Sequence, residues 1–228
     1  MKRIYLTLLT FYALQFCTVQ AQSNKKTVSN SFGSFRSVVV KYKTNTGVMG
    51  SSGEGTKTVW IDDNGQKEAT LEESKTEMKI FGRKIVQESR TLNLLIGDWS
   101  YSIDLKEKTG TKTNTKEIKA ASQVMGAAMI AKNPRLLTMN LKKFVEENGG
   151  KYLGTETFLG KICEVVELMG SKQWHYKGLI LKSESNMGGA KMTEEAISIE
   201  ENVAIPAERF KVPAGIEITE VKMPVGEE

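Results

Sequence analysis

Thr56-Lys57-Thr58-Val59-Trp60-Ile61-Asp62-Asp63-Asn64-Gly65 is the stretch on which the fold turns. Its first part is β-branched and aromatic, as a strand requires, and Asn-Gly readily takes the two left-handed conformations of a type I′ turn. That turn's twist matches the twist of paired strands, so the stretch predicts a β-hairpin. Working outward, Ser37-Val38-Val39-Val40-Lys41-Tyr42 reads as a preceding strand, and the Gly/Ser-rich residues 47–55 read as a loop between the two. On the other side, residues 69–74, 77–81, 84–93 and 99–105 alternate, with glycines at 82 and 97 between them. Short strands at regular spacing predict an antiparallel meander.

The pattern changes at Glu117. From there to Asn148 the only glycine is Gly126, and Ile118, Ala121, Val124, Met125, Ala128 and Met129 recur at helical spacing. Asn133-Pro134 has the form of an N-cap followed by proline at the first helical position. Leu137, Leu141, Phe144 and Val145 then line one face until Asn148-Gly149-Gly150. Two helices joined by a bend are predicted. Strand patterns return at 152–157, 162–168, 172–176, 179–183, 191–199 and 216–221. Strands, helices and strands again predict a single α+β domain, because the helices must bury an apolar stripe and the sheet offers a face to cover.

The ends and the composition narrow the class. Lys2 and Arg3, the apolar residues 4–16 and Val19-Gln20-Ala21 form a signal-peptide pattern with cleavage after Ala21, the apolar run being too short to span a bilayer. Residues 1–21 are therefore a signal peptide, 22–34 a polar lead, and 35–228 the domain. This implies a periplasmic or secreted protein with no stable transmembrane segment after cleavage. The formal charge of +5 falls to about +3 once Lys2 and Arg3 are removed, and the lysines alternate with acids, which argues against nucleic acid. With one His and two Cys, a zinc cluster or disulfide scaffold is all but excluded, and only Cys163 remains after cleavage.

Four constellations bear on chemistry. Gly50-Ser51-Ser52-Gly53-Glu54-Gly55-Thr56-Lys57 comes near a phosphate loop, but ends Thr-Lys and precedes a strand, so it reads as a hairpin loop. His175 with Cys163 as nucleophile lacks any elbow or protease signature, and Cys163 sits in an apolar run where a buried thiol is expected. Asp62 and Asp63, or Asp98 and Asp104, read as turn acids in place of a glycosidase pair or metal site. The fourth set is Trp60, Trp99, Tyr101, Trp174 and Tyr176 on strands, with Met125, Met129 and Met139 on helices. It lines either a ligand cavity between sheet and helices or a filled core. Gly126, in the small-residue segment 120–131, would suit a movable lid or close packing.

Residues 92–105, Leu92-Asn93-Leu94-Leu95-Ile96-Gly97-Asp98-Trp99-Ser100-Tyr101-Ser102-Ile103-Asp104-Leu105, resemble the strand pair of LolA/LolB-like periplasmic proteins, where two helices follow. Residues 158–166, 174–182 and 210–215 are similar to uncharacterised secreted bacterial proteins related to that fold. The resemblance implies an antiparallel sheet curled into an unclosed half-barrel around two central helices, with an apolar cavity between. It further implies a non-enzymatic binding protein for a lipid or a lipoprotein acyl chain, without cofactor or metal, with Trp60, Trp99, Tyr101, Met125, Met129, Trp174 and Tyr176 as its ligand residues. The alternative expectation is an envelope protein-interaction or sensing module with a filled core, using its outer strands or the basic segment 106–119.

Overall fold

A computed structural model of the chain describes residues 35–48, 51–80, 83–120 and 140–222. The chain divides into two compact units, Ser31–Asn114 with Asn140–Glu228, and Met1–Asn30 with Thr115–Met139. Of the second, residues 115–120 are described, and 116–120 are helical, opened by a hydrogen bond from Lys119 N to Thr115 O of 2.9 Å.

The first unit is built on one sheet. Its strands are β1 (Val38–Val48), β2 (Ser51–Asp62), β3 (Lys67–Ile80), β4 (Arg83–Ile96), β5 (Trp99–Asp104) and β6 (Thr109–Asn114), then β7 (Lys151–Phe158), β8 (Lys161–Leu168), β9 (Ser171–Tyr176), β10 (Leu179–Met187), β11 (Ala190–Glu201) and β12 (Glu217–Glu220). The order across the twelve-stranded sheet is β12-β6-β5-β4-β3-β2-β1-β11-β10-β9-β8-β7. Two antiparallel meanders, β1 to β6 and β7 to β11, are thus joined along a single seam, the antiparallel pairing of β1 with β11. β12 adds to β6 in parallel, so the sheet is mixed and open.

The Asn64-Gly65 turn forms as its residues dictate. Asn64 sits at φ 54°, ψ 37° and Gly65 at φ 87°, and Gln66 N donates to Asp63 O at 3.1 Å. The register that follows pairs Asp62 with Lys67, Ile61 with Glu68, Lys57 with Glu72 and Ser51 with Met78. Residues 47–48 and 51–55, expected as a loop, are strand instead, and residues 49 and 50 lie outside the described residues. Gly53 and Gly55 belong in β2 because a Cβ on Gly53 would lie 2.5 Å from Thr46 Oγ1, and one on Gly55 2.5 Å from Glu73 O. Glycine here admits neighbouring strands at close approach, and the runs 69–74 and 77–81 fall, as far as residue 80, in one strand, β3.

Helix α1 (Leu141–Glu147) starts at Asn140, whose side chain accepts from Lys143 N at 3.0 Å, and closes where Gly150 N donates to Val145 O at 2.9 Å. Its buried Val145 packs beside Gly150 and Leu168, at the end of β7 and β8. The predicted cap at Asn133-Pro134 and the bend lie outside the described residues.

The α+β expectation is corrected by this architecture. The fold is mostly β, a mixed twelve-stranded open sheet, and not an antiparallel half-barrel around two central helices. The physical reason is visible in two places. The Gly/Ser and polar alternating runs pair into long hairpins, and residues 203–216, an irregular strap with a 3₁₀ turn at Ala207–Phe210, pack against β3 and β4.

The apolar interior falls into two clusters. One gathers Phe35, Val38, Val40, Tyr42, Ile61, Cys163, Val165, Trp174, Leu179, Leu181 and Ala196 around the seam. The other gathers Ala69, Leu92, Leu94 and Ile103 on β3 to β5 under Phe210, with Ile205, Val212, Ile216 and Ile218 of the strap and β12 packed against it. Register shifts between Lys41 and Tyr42, between Ile180 and Lys182, and between Tyr152 and Gly154 break the strict alternation of the sheet at Ile197, Leu181 and Leu153.

Candidate functional site

Trp60, Ala69, Leu94 and Tyr101 stand in one cross-strand row, and Ile96 pairs with Trp99 one row further. Trp60, Tyr101 and Ile96 pack into the strap cluster. Cations cover the exposed sides of the rings: Arg209 of the strap stands 5.0 Å from the Trp60 centroid, and Lys112 of β6 stands 4.6 Å from that of Trp99. Lys112 also pairs with Glu220 of β12 at 2.9 Å. The chain's own C-terminal segment therefore occupies the surface that these aromatics would offer a ligand.

Trp174 and Tyr176 belong to the other cluster. Trp174 donates from its indole N–H to Glu156 at 2.7 Å, with Lys172 and Lys182 at 4.4 and 4.7 Å from its ring. Tyr176 packs at 6.2 Å from Phe35 and donates to Glu201 at 3.0 Å. The structure thus divides the strand residues expected to share one ligand between two cores. Met125, Met129 and Met139 lie outside the described residues, as does the lid segment beyond residue 120. None of the five aromatics lines the groove of about 640 Å³ whose walls include Lys43, Glu54, Glu73, Arg90 and Lys106.

The nucleophile and base candidates are likewise apart. His175 pairs with Glu164 across β8 and β9, so Cys163, the neighbour of Glu164 in β8, points to the other side of the sheet. Cys163 is buried and its thiol is pushed up by that burial, while burial holds His175 down to about 4. His175 Nε2 meets Gln173 Oε1 at 2.9 Å, which fits a neutral ring donating from Nε2. Asp104 Oδ1 accepts from Lys106 N at 2.8 Å and Glu107 N at 3.0 Å, which is turn chemistry. Among the described residues no group of three His, Cys, Asp or Glu is placed to hold a metal ion. Residues 51–57 of the loop that comes near a phosphate-binding sequence are strand.

Sequence reading missed a different set. On the face carrying Val38 and Val40, Tyr42 is opposite Lys57, Lys57 is opposite Glu72, and Glu194 of β11 is opposite Thr44. Lys57 Nζ donates to Glu194 Oε1 at 2.5 Å and stands 4.5 Å from the Tyr42 ring, with the two charged side chains only 13% and 22% exposed. The bridge connects β2 to β11 across the intervening β1. Glu68 lies four residues before Glu72 on β3 and accepts from the Thr70 hydroxyl. Burial, then the Glu194 charge, pushes Glu72 up to about 7. Burial also raises Glu68, against the opposing pull of Lys57, and it raises Tyr42, assisted by Glu194 and Glu68. The signal that finds this row is the Asn64-Gly65 turn itself, since its register alone places Lys57 beside Glu72.

At the far end of the seam stands a contrasting site. Glu201 Oε1 accepts from Lys161 at 2.5 Å and from Tyr176 at 3.0 Å, and Oε2 accepts from Lys177 at 3.0 Å. Burial opposes ionisation there, but the donors outweigh it and hold the carboxyl down to about 2.

No family model matches this chain, and no curated protein matches it. Among solved structures, an uncharacterized conserved protein from Thermus thermophilus is similar over 80% of this chain and 90% of its own, at 7% identity and a TM-score of 0.43. PNGF-II is similar over 82% of this chain and 32% of its own, at 13% identity and a TM-score of 0.39. A DUF1329 family protein from Desulfovibrio piger ATCC 29098 is similar over 88% of this chain and 96% of its own, at 9% identity and a TM-score of 0.27. These are distant likenesses, and no function is taken from them.

Proposed function

We propose that this chain is a non-catalytic, exported interaction or sensing module whose core is filled by its own side chains. The observation that carries the reading is the strap: Phe210, Ile205, Val212 and Ile216 pack on the aromatic surface of β2 to β5, with Arg209 stacked over Trp60. An acyl chain binding there would have to displace these residues, forfeiting their burial of about 1.5–3 kcal/mol per large apolar side chain. Export rests on the signal pattern of residues 1–21, and a relationship to LolA/LolB-like proteins rests on the quoted stretches near residues 92–105, 158–166, 174–182 and 210–215. Among the described residues, no helix is long and apolar enough to cross a membrane.

The partner surface in this reading is the β7 end of the sheet. β7 closes the strand order there, and Leu153, Leu159, Ile162 and Met169 on and beside β7 and β8 are exposed, the last two at 72% and 75%. An extended segment of a partner protein adding to β7 would cover these side chains while completing the edge's backbone hydrogen bonds. The test is native mass spectrometry of protein purified from a periplasmic extract without detergent, with solvent extraction, alongside capture of envelope partners by wild type and Ile162→Asp. A bare mass with a partner lost in Ile162→Asp is expected. An extractable lipid would overturn the filled-core reading in favour of a hydrophobic-ligand carrier.

A further inference from the structure

β4 outruns one of its two neighbours. β3 pairs with it from end to end in an unbroken register, Lys67 opposite Ile96 through Ile80 opposite Arg83, but β5 covers its other side only from Thr91 to Ile96. Beyond Arg90, whose carbonyl accepts from Leu105 N at 2.9 Å, no strand among the described residues pairs with that side, and Arg83–Arg90 are exposed throughout. Since Arg90 O points outward, alternation turns the backbone N–H and C=O of Glu88, Val86 and Lys84 the same way. The Lys106 ammonium reaches Glu88 O at 3.4 Å and marks the lower limit of this open edge. Charged side chains, lysine above all, ordinarily blunt such an edge by repelling a second strand. Here they are self-complementary instead: Lys84 and Glu88 stand two residues to either side of Val86, on the same face.

We propose that two copies of this chain join edge to edge, β4 antiparallel to β4 about a two-fold axis at Val86. In that register Val86 faces Val86 of the second copy, Lys84 faces Glu88 of the second copy, and Glu88 faces Lys84 in turn. All three carry outward backbone groups, so each pair can exchange N–H···O=C bonds. Each ion pair between copies also extends one within the chain, Lys84 to Glu77 at 2.8 Å and Glu88 to Lys106 at 3.4 Å, so that four charges of alternating sign cross the joint. Registers two residues off lose this match: one sets Lys84 against Val86, the other sets it against Arg90. Val86 and Ile85, 45% and 44% exposed, are covered by the union. β4 is far from β7 in the strand order, so the dimer leaves the partner surface proposed above free.

The test is sedimentation of the full chain across a concentration series, on wild type, Lys84→Glu, Glu88→Lys and an equal mixture of those two variants. Wild type is expected to be a dimer at about 100 μM and to dissociate on dilution, as a small interface does. Each single variant sets like charges against each other at both ends of the joint and should dimerise at least about tenfold more weakly. The mixture restores opposite charges at both ends and should recover a heterodimer. Ile162→Asp should leave the dimer unchanged. A wild type that is monomeric at this concentration, a dimer indifferent to the single variants or lost in Ile162→Asp, or a mixture no tighter than its components overturns the proposal. Should the charge variants not fold, hydrogen exchange of wild type decides. Protection of the Lys84, Val86 and Glu88 amides that rises with concentration supports the joint, and amides that stay unprotected overturn it.

Discussion

Glu201 and Glu72 are both carboxylates half-withdrawn from water along the same seam, yet they behave as opposites. Glu201 collects Lys161, Lys177 and Tyr176 on one carboxyl and is held down to about 2. Glu72 is pushed up to about 7, burial being the larger cause and the Glu194 charge the second. Burial acts in the same direction on both. What differs is the neighbouring charge: at Glu201 the donors outweigh burial, whereas at Glu72 the Glu194 carboxylate adds to it.

An uncharged site sets the scale for this contrast. Phe210→Ala, which empties the centre of the strap cluster, is expected to cost about 3–5 kcal/mol with no dependence on pH. Urea unfolding at two pH values checks both parts, and a pH-dependent loss would mean that the strap is coupled to one of the carboxylates. Glu201→Gln comes next, at about 1–3 kcal/mol near neutral pH, because two lysines and a tyrosine lose their shared acceptor. The same loss should vanish in acid. A carboxyl lowered in the folded state gives stability that is present above its unfolded pKa and lost as pH falls through the folded value, here between about 4.5 and about 2. His175, held down to about 4 by burial, adds a loss in the same direction as pH falls below about 6.5.

Glu72 runs the other way. Its pKa is raised in the folded state, so its contribution is fully present below about 4.5 and disappears as pH rises through about 7. Glu72→Gln should therefore stabilise the protein by about 1 kcal/mol at pH 8 relative to wild type, and lose that advantage near pH 5. A thermal-shift series across this range would show the two curves converging in acid, and parallel curves would break the contrast with Glu201. The smallest expected effect is from Glu194→Gln. Removing that charge frees Lys57 for Glu72, so the Glu72 midpoint should fall below about 7 while burial keeps it above the ordinary glutamate value. An unchanged midpoint in a carboxyl titration would leave burial as the whole cause.

Much of the first meander was legible because each strand's register is set by its turn. Asn64-Gly65 fixes Lys57 against Glu72, and the strands at 84–93 and 99–105 lie within β4 and close to β5. The second meander was equally readable, with glycines at 160, 170 and 178 at positive φ between its strands. Residues 47–55 were misread, since Gly and Ser there signal close approach of strands as well as loops, and only the Thr46 and Glu73 neighbours of Gly53 and Gly55 distinguish the two. The parallel addition of β12 was illegible for a different reason. Ile216-Glu217-Ile218-Thr219 alternates like any strand, and nothing in four residues says which edge they join. Nor could sequence place the aromatics, because Trp60 and Trp174 have the same local pattern and the shifts at Ile197 and Leu181 decide which core each enters. The predicted turn roles of Asp63 and Asp104 needed only their immediate neighbours, and they were readable for that reason.

The seam also governs the order of events during synthesis. Arg36 N donates to Asn202 Oδ1, two residues 166 positions apart in the chain, so β1 must wait for almost the whole polypeptide before its outer edge is paired. Until then the first meander is a finished sheet with an open edge carrying Val38, Val40 and Tyr42. Closure of so long a loop is slow compared with the hairpins on either side. The chain thus opens an apolar edge with its first strand and closes it only with its eleventh, so loss of β11 would leave that edge unpaired however well the first meander had formed.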